Sequence, residues 1–426
     1  MKQLTVAPGR PLRGSVRVPG DKSVSHRALL FNAFARGRAR VSGLLRAGDT
    51  ESSARCLRQL GAIIDGDVIT GVNGRFTEPS DLLDCGNSGT SMRLLAGLLA
   101  GQPFFSVLSG DASLRRRPMG RVAEPLTAMG ARFDGREGGR LPPISVRGGQ
   151  LRAIDYHSPV ASAQVKTALV LATLQASGEM LFTEPSLSRD HTERMLGAMG
   201  VRMERIQHSG RPGLRVPGGQ VPEAIDVEVP GDISSAAFFL VAAAIVPGSE
   251  LLLRNVGINP TRAGVLEVLQ QMGADIDVQN PRDAGGEPVA DLLVRSGPLK
   301  AFSIGGDLIP RLIDEVPVLA VAAAFADGES VVRDAQELRV KESDRAACTV
   351  AALRAIGVEA EELPDGLVVR GGRAKGGEVQ AHSDHRIAMA FAVAGCAAEG
   401  PVQVHDAENI ATSFPEFISL LEHCRG

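Results

Sequence analysis

Six times along this chain, roughly every 71 residues, a polar cluster opens an Ala- and Leu-rich run that closes in glycine. The openings read DKSVSHRALL from Asp21, CGNSGTSMRLL from Cys85, ASAQVKTALVL from Ala161, GDISSAAFFLV from Gly231, IDEVPVLAVAAA from Ile313 and SDHRIAMAFAV from Ser383. Their closing glycines are Gly37, Gly101, Gly178, Gly248, Gly328 and Gly400. A helix that must bury most of its surface has no packing use for Lys, Ser, His and Arg in its first turn. Helix N-termini attract anions through unpaired N–H groups and the positive pole of the helix dipole. Six such openings can build one strongly anion-binding pocket.

After each closing glycine comes a β-prone stretch and then a second helix. Five of these second helices end in CLRQLGAIID (Gly61), LTAMGARFD (Gly130), LGAMGVRME (Gly200), LQQMGADID (Gly273) and LRAIGVEAE (Gly357). Glycine just past the last periodic apolar residue marks a left-handed helix cap, and the alternation that follows reads as a strand. Each repeat is therefore helix, strand, helix, strand, strand. The sixth reaches FPEFISLLEHCRG with no strands after it, while KQLTVAP and LRGSVRVP stand before the first opening. Residues 1–20 are expected to complete the sixth repeat. That closure predicts an α/β fold of two three-repeat domains, 21–232 and 233–426 plus 1–20. The crossings fall near 19–21 and 230–232, where both segments read VPGD, suited to a hinge. A repeat scaffold without chemistry is the plain alternative, but solenoid periods run at about 20 to 50 residues. The openings also differ in charge, as residues with separate tasks in one site do.

The formal net charge of −3, with no Trp and one Tyr, argues against a nucleic-acid partner. Five dispersed cysteines without CxxC spacing fit a reducing compartment. The longest apolar runs are too short to span a membrane, and MKQLTVAPGR has no signal-peptide character. A cytoplasmic protein is expected, and nothing demands more than a monomer. The eight histidines form no zinc set, and GxxxxGK[ST], GxGxxG and GxSxG are all missing, so neither metal nor cofactor is expected.

Lys22 and Ser23 begin the first helix, and Arg27 follows Ser23 by four residues on the same face, a set able to grip phosphate or carboxylate. The same residues fit a bare N-cap with two solvated cations. Asn87, Ser88, Gly89 and Thr90 form a tight polar turn in which Gly89 admits a ligand close to the backbone. Ser162 and Gln164 precede Lys166, which reads either as part of a site or as one exposed cation on a capped helix. In SLRRRPMGR, Pro118 is suited to the first position of a helix, which puts Arg117 at its N-cap. Arginines against the positive helix pole call for a bound anion. Arg189 and His191 hold the matching place in the third repeat, and Lys341, Glu342, Asp344 and Arg345 in the fifth. Asp314 is either a helix cap or a general base, Glu342 is a candidate proton donor, and the sixth opening adds His385 and Arg386.

Assembled, these residues resemble the 5-enolpyruvylshikimate-3-phosphate (EPSP) synthase family. The likeness runs the whole length through PGDKSVSHR, DCGNSGTSMR, RRRPMGR, SAQVKTA, SRDHTE, IDEVPVLA, LRVKESDR, SDHRIAM and ATSFPEF, in that order. It implies an inverse α/β barrel-like enolpyruvyl transferase fold, two domains each of three βαβαββ units, with the site in the cleft between them. It also implies that Lys22, Ser23, Arg27, Ser162, Ala163, Gln164, Arg189, Asp314 and Lys341 bind shikimate 3-phosphate. Lys22, Asn87, Gly89, Arg117, Gln164, Arg345 and Arg386 would hold phosphoenolpyruvate, with Asp314 as base and Glu342 or Lys22 as acid. Thr412 and Ser413 stand where many members carry a lysine that touches phosphoenolpyruvate, and Glu337 replaces an amide of some members. Those departures resemble the subgroup called class II, which tends to tolerate glyphosate, although Gly89 is retained where the most tolerant members carry Ala. The related UDP-N-acetylglucosamine enolpyruvyl transferases usually carry a reactive Cys or Asp in the loop that here reads SLRRRPMGR.

Overall fold

The computed structural model describes residues 2–426, and each repeat contributes two helices. The first gives α1 (Lys22–Phe34) and α2 (Gly48–Gln59), the second α3 (Gly89–Ala100) and α4 (Gly120–Ala128), the third α5 (Ala163–Thr173) and α6 (His191–Ala198). The fourth gives α7 (Ile233–Ile245) and α8 (Gly264–Gln271), the fifth α9 (Val316–Ala324) and α10 (Arg345–Ala355), the sixth α11 (His385–Ala397) and α12 (Phe417–Arg425). The opening helices lie inside, as α9 shows by burying every residue. The second helices are one-sided: α8 buries Val265, Leu266, Val268 and Leu269 while Glu267 and Gln270 are exposed. Inner helices can touch backbone to backbone. A Cβ built at Gly97 of α3 falls 2.3 Å from the Ala168 carbonyl oxygen of α5.

The polar openings divide into caps and the rest. Asp21, Ser88, Ser162, Asp232 and Asp384 each accept a backbone N–H of the helix they precede. Such a cap is worth about 1 kcal/mol and explains one polar residue per opening, not the others. The fifth opening differs, since Glu315 at the N-cap of α9 makes no capping bond. Asp314 sits one residue earlier in a 3-10 turn, Ile313–Glu315, so the helix-cap alternative for it fails. Arg117 is not an N-cap either. Leu114–Arg116 form a 3-10 turn that Arg117 closes, and α4 begins only at Gly120, behind Met119.

The five glycines after α2, α4, α6, α8 and α10 all take positive φ, between 84° and 116°. Gly101, after α3, has φ −91° and is a glycine for another reason: a Cβ there would lie 2.5 Å from the Gln175 side chain.

Each repeat carries a small sheet in which one pair is parallel and the others antiparallel. In the second, Leu83–Asp84 runs parallel to Phe105–Ser109, which pairs antiparallel with Leu141–Arg147, itself antiparallel to Arg132–Gly135. The leading strands of the first and fourth repeats are exchanged. Arg13–Val16 precedes α1 in the chain but lies parallel to Glu250–Leu253, after α7. Val227–Glu228 precedes α7 but lies parallel to Val41–Ser42, after α1. Residues 1–20 therefore do not all complete the sixth repeat. Gln3–Val6 does, antiparallel to Val402–His405, whereas Arg13–Val16 opens the fourth. Parallel pairing has no two-residue turn to announce it, so the partner of a leading strand is not legible locally.

Two compact units result. Gly20–Val229 with Asp283–Glu287 make the first, and Met1–Pro19, Pro230–Arg282 and Pro288–Gly426 make the second. Each has its own apolar core. The hairpin tip Asp283–Glu287 belongs to the first unit, where Glu287 meets the buried His191 at Nδ1, 2.9 Å away. No helix among the described residues is long and apolar enough to cross a membrane.

Candidate active site

In the first unit the openings of α1, α3 and α5 converge on one polar surface. Arg27 is buried, with Nε donating to Thr192 Oγ1 at 2.9 Å, Nη2 to Thr167 Oγ1 at 2.8 Å and Nη1 to the Ser23 carbonyl at 3.1 Å. One guanidinium thus ties α1 to α5 and α6. Gln164 bridges to α3, since its Oε1 accepts from Arg93 Nη1 at 2.5 Å and its Nε2 donates to Thr90 Oγ1 at 2.9 Å. Asn87 accepts from Arg117 Nη2 at 2.9 Å and donates to Asp111 at 2.6 Å. Lys22 pairs with Asp49 of α2. Ser162 caps α5 and Ala163 is its first residue, while Arg189 lies just before α6.

Two of these arginines are buried close to other cations. Burial pushes the Arg93 guanidinium down to about 10, and Arg117 and Arg121 add to the effect. Burial does the same to Arg27, also to about 10, against Glu193 and Asp21, while Arg189 crowds it further. Such cations are stabilised by a dianion between them more than by water.

His26, on α1, carries a consequence for acid stability. It is fully buried, its Nδ1 meets Ser53 Oγ at 2.9 Å and its Nε2 has no partner among the described residues. Burial, and then Lys22, lower it from 6.5 to about 3. The folded chain therefore stays unprotonated at His26 where the unfolded chain takes a proton. Stability is intact above pH ~6.5 and falls as pH drops towards ~3, by up to about 1.4 kcal/mol per pH unit from this residue. Urea unfolding from pH 7.5 down to 5 is expected to show a shallower loss in His26→Gln than in the parent; parallel curves would refute the assignment.

In the second unit the fifth and sixth openings meet on Arg345, buried at the start of α10. Its Nη1 lies 3.3 Å from Asp314 Oδ1, its Nη2 2.6 Å from Glu342 and its Nε 2.9 Å from Asp384. Lys341 Nζ stands 3.4 Å from the same Asp314 oxygen. Arg386 donates to the Asp314 carbonyl at 3.3 Å. Desolvation works to raise the Glu342 carboxyl, but Arg345 and then His385 hold it well below the usual carboxylate range. While that pairing holds, Arg345 and His385 favour the ionised form of Glu342.

The structure thus groups Lys22, Ser23, Arg27, Asn87, Gly89, Arg117, Ser162, Ala163, Gln164 and Arg189 on the first unit, and Asp314, Lys341, Glu342, Arg345 and Arg386 on the second. Sequence reasoning missed the groups that hold them: Asp49 for Lys22, Thr167 and Thr192 for Arg27, Arg93 for Gln164, and Asp384 for Arg345. Lys166 is not the exposed cation of the plain reading. It is 1% exposed and bonds Glu184 at 3.0 Å, Glu193 at 2.7 Å and the Ser188 carbonyl at 3.2 Å. No group of three or more His, Cys, Asp or Glu suited to a metal occurs among the described residues.

The fold is that of the enolpyruvyl transferases. It is shared with the enolpyruvyl transferase NikO from Streptomyces tendae at TM-score 0.77 over 99% of this chain and 97% of that one, although only 18% of residues are identical. A solved EPSP synthase from Acinetobacter baumannii superposes at TM-score 0.91 with 44% identity, covering 100% of this chain and 98% of that one. The 3-phosphoshikimate 1-carboxyvinyltransferases of Geobacter metallireducens and Geobacter sulfurreducens are each 53% identical to it over 99% of both chains. That of a Synechococcus species is 54% identical over 98% of this chain and 96% of its own. The family model for EPSP synthase (3-phosphoshikimate 1-carboxyvinyltransferase) matches residues 6–421, and the chain belongs to that family.

Proposed function

We propose that the two residue sets serve one reaction, transfer of the enolpyruvyl group of phosphoenolpyruvate to the 5-hydroxyl of shikimate 3-phosphate, with Asp314 as the base. The observation that carries this reading is the fifth opening. Its Asp314 caps no helix and instead presents its carboxylate to Lys341 and Arg345. Lys22, Ser23, Arg27, Ser162, Ala163, Gln164, Arg189, Asp314 and Lys341 take shikimate 3-phosphate. Lys22, Asn87, Gly89, Arg117, Gln164, Arg345 and Arg386 take phosphoenolpyruvate. The oxygen of the 5-hydroxyl bonds to C2 of phosphoenolpyruvate as Asp314 receives its proton, and C3 is protonated. From the tetrahedral intermediate the C2–O bond to phosphate then breaks while C3 gives up a proton. The cations offset the repulsion between two anionic substrates and the charge on departing phosphate.

Glu342 can serve as the acid only if its pairing with Arg345 is relieved. An incoming phosphoenolpyruvate anion competes for the same guanidinium, so the substrate itself creates the condition under which Glu342 holds a proton. Lys22, paired with Asp49, is the other donor in reach of phosphoenolpyruvate.

The deciding assay is phosphate release from phosphoenolpyruvate with shikimate 3-phosphate against UDP-N-acetylglucosamine as acceptor. Release is expected with the first alone, and none with shikimate 3-phosphate would end the reading. Gly89→Ala tests the phosphoenolpyruvate side. The added Cβ lies 3.1 Å from Arg93 Nη1, which must give way by a few tenths of an ångström, and in ordinary contact, 3.5 Å, with Arg117 Nη1. We expect KM for phosphoenolpyruvate to rise about tenfold with a much smaller change for shikimate 3-phosphate. Glyphosate should compete with phosphoenolpyruvate less tightly in the same variant; an unchanged inhibition constant contradicts the placement. Five free cysteines support a cytoplasmic site of action, and a monomer suffices for the residue set.

A further inference from the structure

The fourth opening, GDISSAA, supplies none of the residues assigned above. Its Asp232 caps α7 through Ser234 N at 2.8 Å. Its Ser234 is buried, and the hydroxyl donates to the carboxylate of Glu315, the residue after Asp314. Glu315 is 1% exposed, and Arg262 Nη1 reaches its two oxygens at 2.9 and 3.1 Å. Arg262, itself buried just ahead of α8, also donates through Nη2 to Ser234 and lies 3.5 Å from Asp232 Oδ1. Arg386 Nη1 also stands 3.8 Å from the same oxygen, Glu315 Oε1.

We propose that Glu315, anchored by Arg262 and Ser234, is a positioning residue that aims both Asp314 and Arg386 at their substrates. Asp314 and Glu315 are successive residues of one 3-10 turn. Fixing the Glu315 carboxylate inward fixes the backbone from which Asp314 turns the other way, towards Lys341 and Arg345. Arg386 is drawn from two sides, by the Glu315 charge and by the Asp314 carbonyl at 3.3 Å. The cluster is electrically balanced, with Arg262 and Arg386 against Asp232 and Glu315, so it persists in a buried setting without a ligand. A buried carboxylate with both oxygens on one guanidinium nitrogen and a serine hydroxyl on one of them has little freedom, which is what a group that orients others needs. The fourth opening thereby acquires a task.

The inference rests on the roles proposed for Asp314 and Arg386, so the parent chain is assayed first. Failure to release phosphate with shikimate 3-phosphate rejects those roles, whatever the variants do. With an active parent, Glu315→Gln keeps the shape and removes the charge. It is expected to raise KM for phosphoenolpyruvate about tenfold and lower kcat about tenfold, while KM for shikimate 3-phosphate stays within about threefold. Arg262→Lys should lie between parent and Arg262→Met, because a point charge replaces the fork. Unchanged constants in a folded Glu315→Gln overturn the inference. So does a uniform rise of both KM values accompanied by lower thermal stability, which is what a purely structural cluster produces. Where Glu315→Gln does not fold, Ser234→Ala, which removes one hydroxyl, decides: a selective rise of about threefold in KM for phosphoenolpyruvate supports the role, and none refutes it.

Discussion

Asp314→Ala is expected to lower kcat by about a thousandfold while KM for either substrate changes by less than about threefold. The split follows from where the carboxylate stands. Arg345 keeps Glu342 and Asp384 as partners when Asp314 is removed, so the guanidinium stays in place to receive phosphoenolpyruvate. Arg386 loses nothing directly, because it is held by the Asp314 backbone carbonyl and not by the side chain. What disappears is the acceptor for the hydroxyl proton, a contribution realised only as the C–O bond forms. Asp314→Asn refines the test by keeping size and hydrogen bonding without the basic site, and it should be nearly as slow. Equal losses in kcat and in binding of shikimate 3-phosphate would contradict the role of Asp314 as base. Steady-state phosphate release combined with calorimetric binding of shikimate 3-phosphate separates the two.

The parts of this architecture that were legible in the sequence are those governed by local chemistry. A glycine at positive φ after a helix, an Asp or Ser that caps the next one, and an apolar run with no polar face are all set within a few residues. They are enough to mark the repeats and the helix starts at which Lys22, Gln164, Asp314 and Arg345 stand. Illegible were the partners that lie far away along the chain. Arg13–Val16 carries nothing that names Glu250–Leu253 as its neighbour. Lys166 reads as solvated because lysines are rarely buried, and only the distant Glu184 and Glu193 make it otherwise. Glu315 is the same case: nothing near it in the chain tells that its carboxylate faces inward to Arg262. The electrostatic setting of Glu342 is illegible for a related reason. Its character is set by Arg345 and His385 acting together, and no motif encodes that sum.

Lys166→Met should destabilise the chain by about 3 to 5 kcal/mol in urea unfolding, the largest stability effect expected of any single change here. The side chain is 1% exposed and is the cation of two carboxylates that are themselves buried, Glu184 and Glu193. One oxygen of each, Glu184 Oε2 and Glu193 Oε2, has no hydrogen-bond partner among the described residues, so loss of the ammonium leaves both carboxylates less satisfied still. Methionine fills the volume, which separates the charge effect from a cavity. The triad is not thereby a net source of stability, since replacing a whole buried ion cluster by apolar residues is often neutral or stabilising. Adding Glu184→Gln to Lys166→Met should recover part of the loss, and no recovery would assign the defect to packing. The same variant bears on function. Glu193 follows Thr192, and Lys166 precedes Thr167, the two hydroxyls that receive Arg27 and lie 2.6 Å from each other. Loosening α5 from α6 therefore loosens Arg27, and KM for shikimate 3-phosphate should rise well before KM for phosphoenolpyruvate does. A destabilised variant with both KM values unchanged would confine Lys166 to the fold.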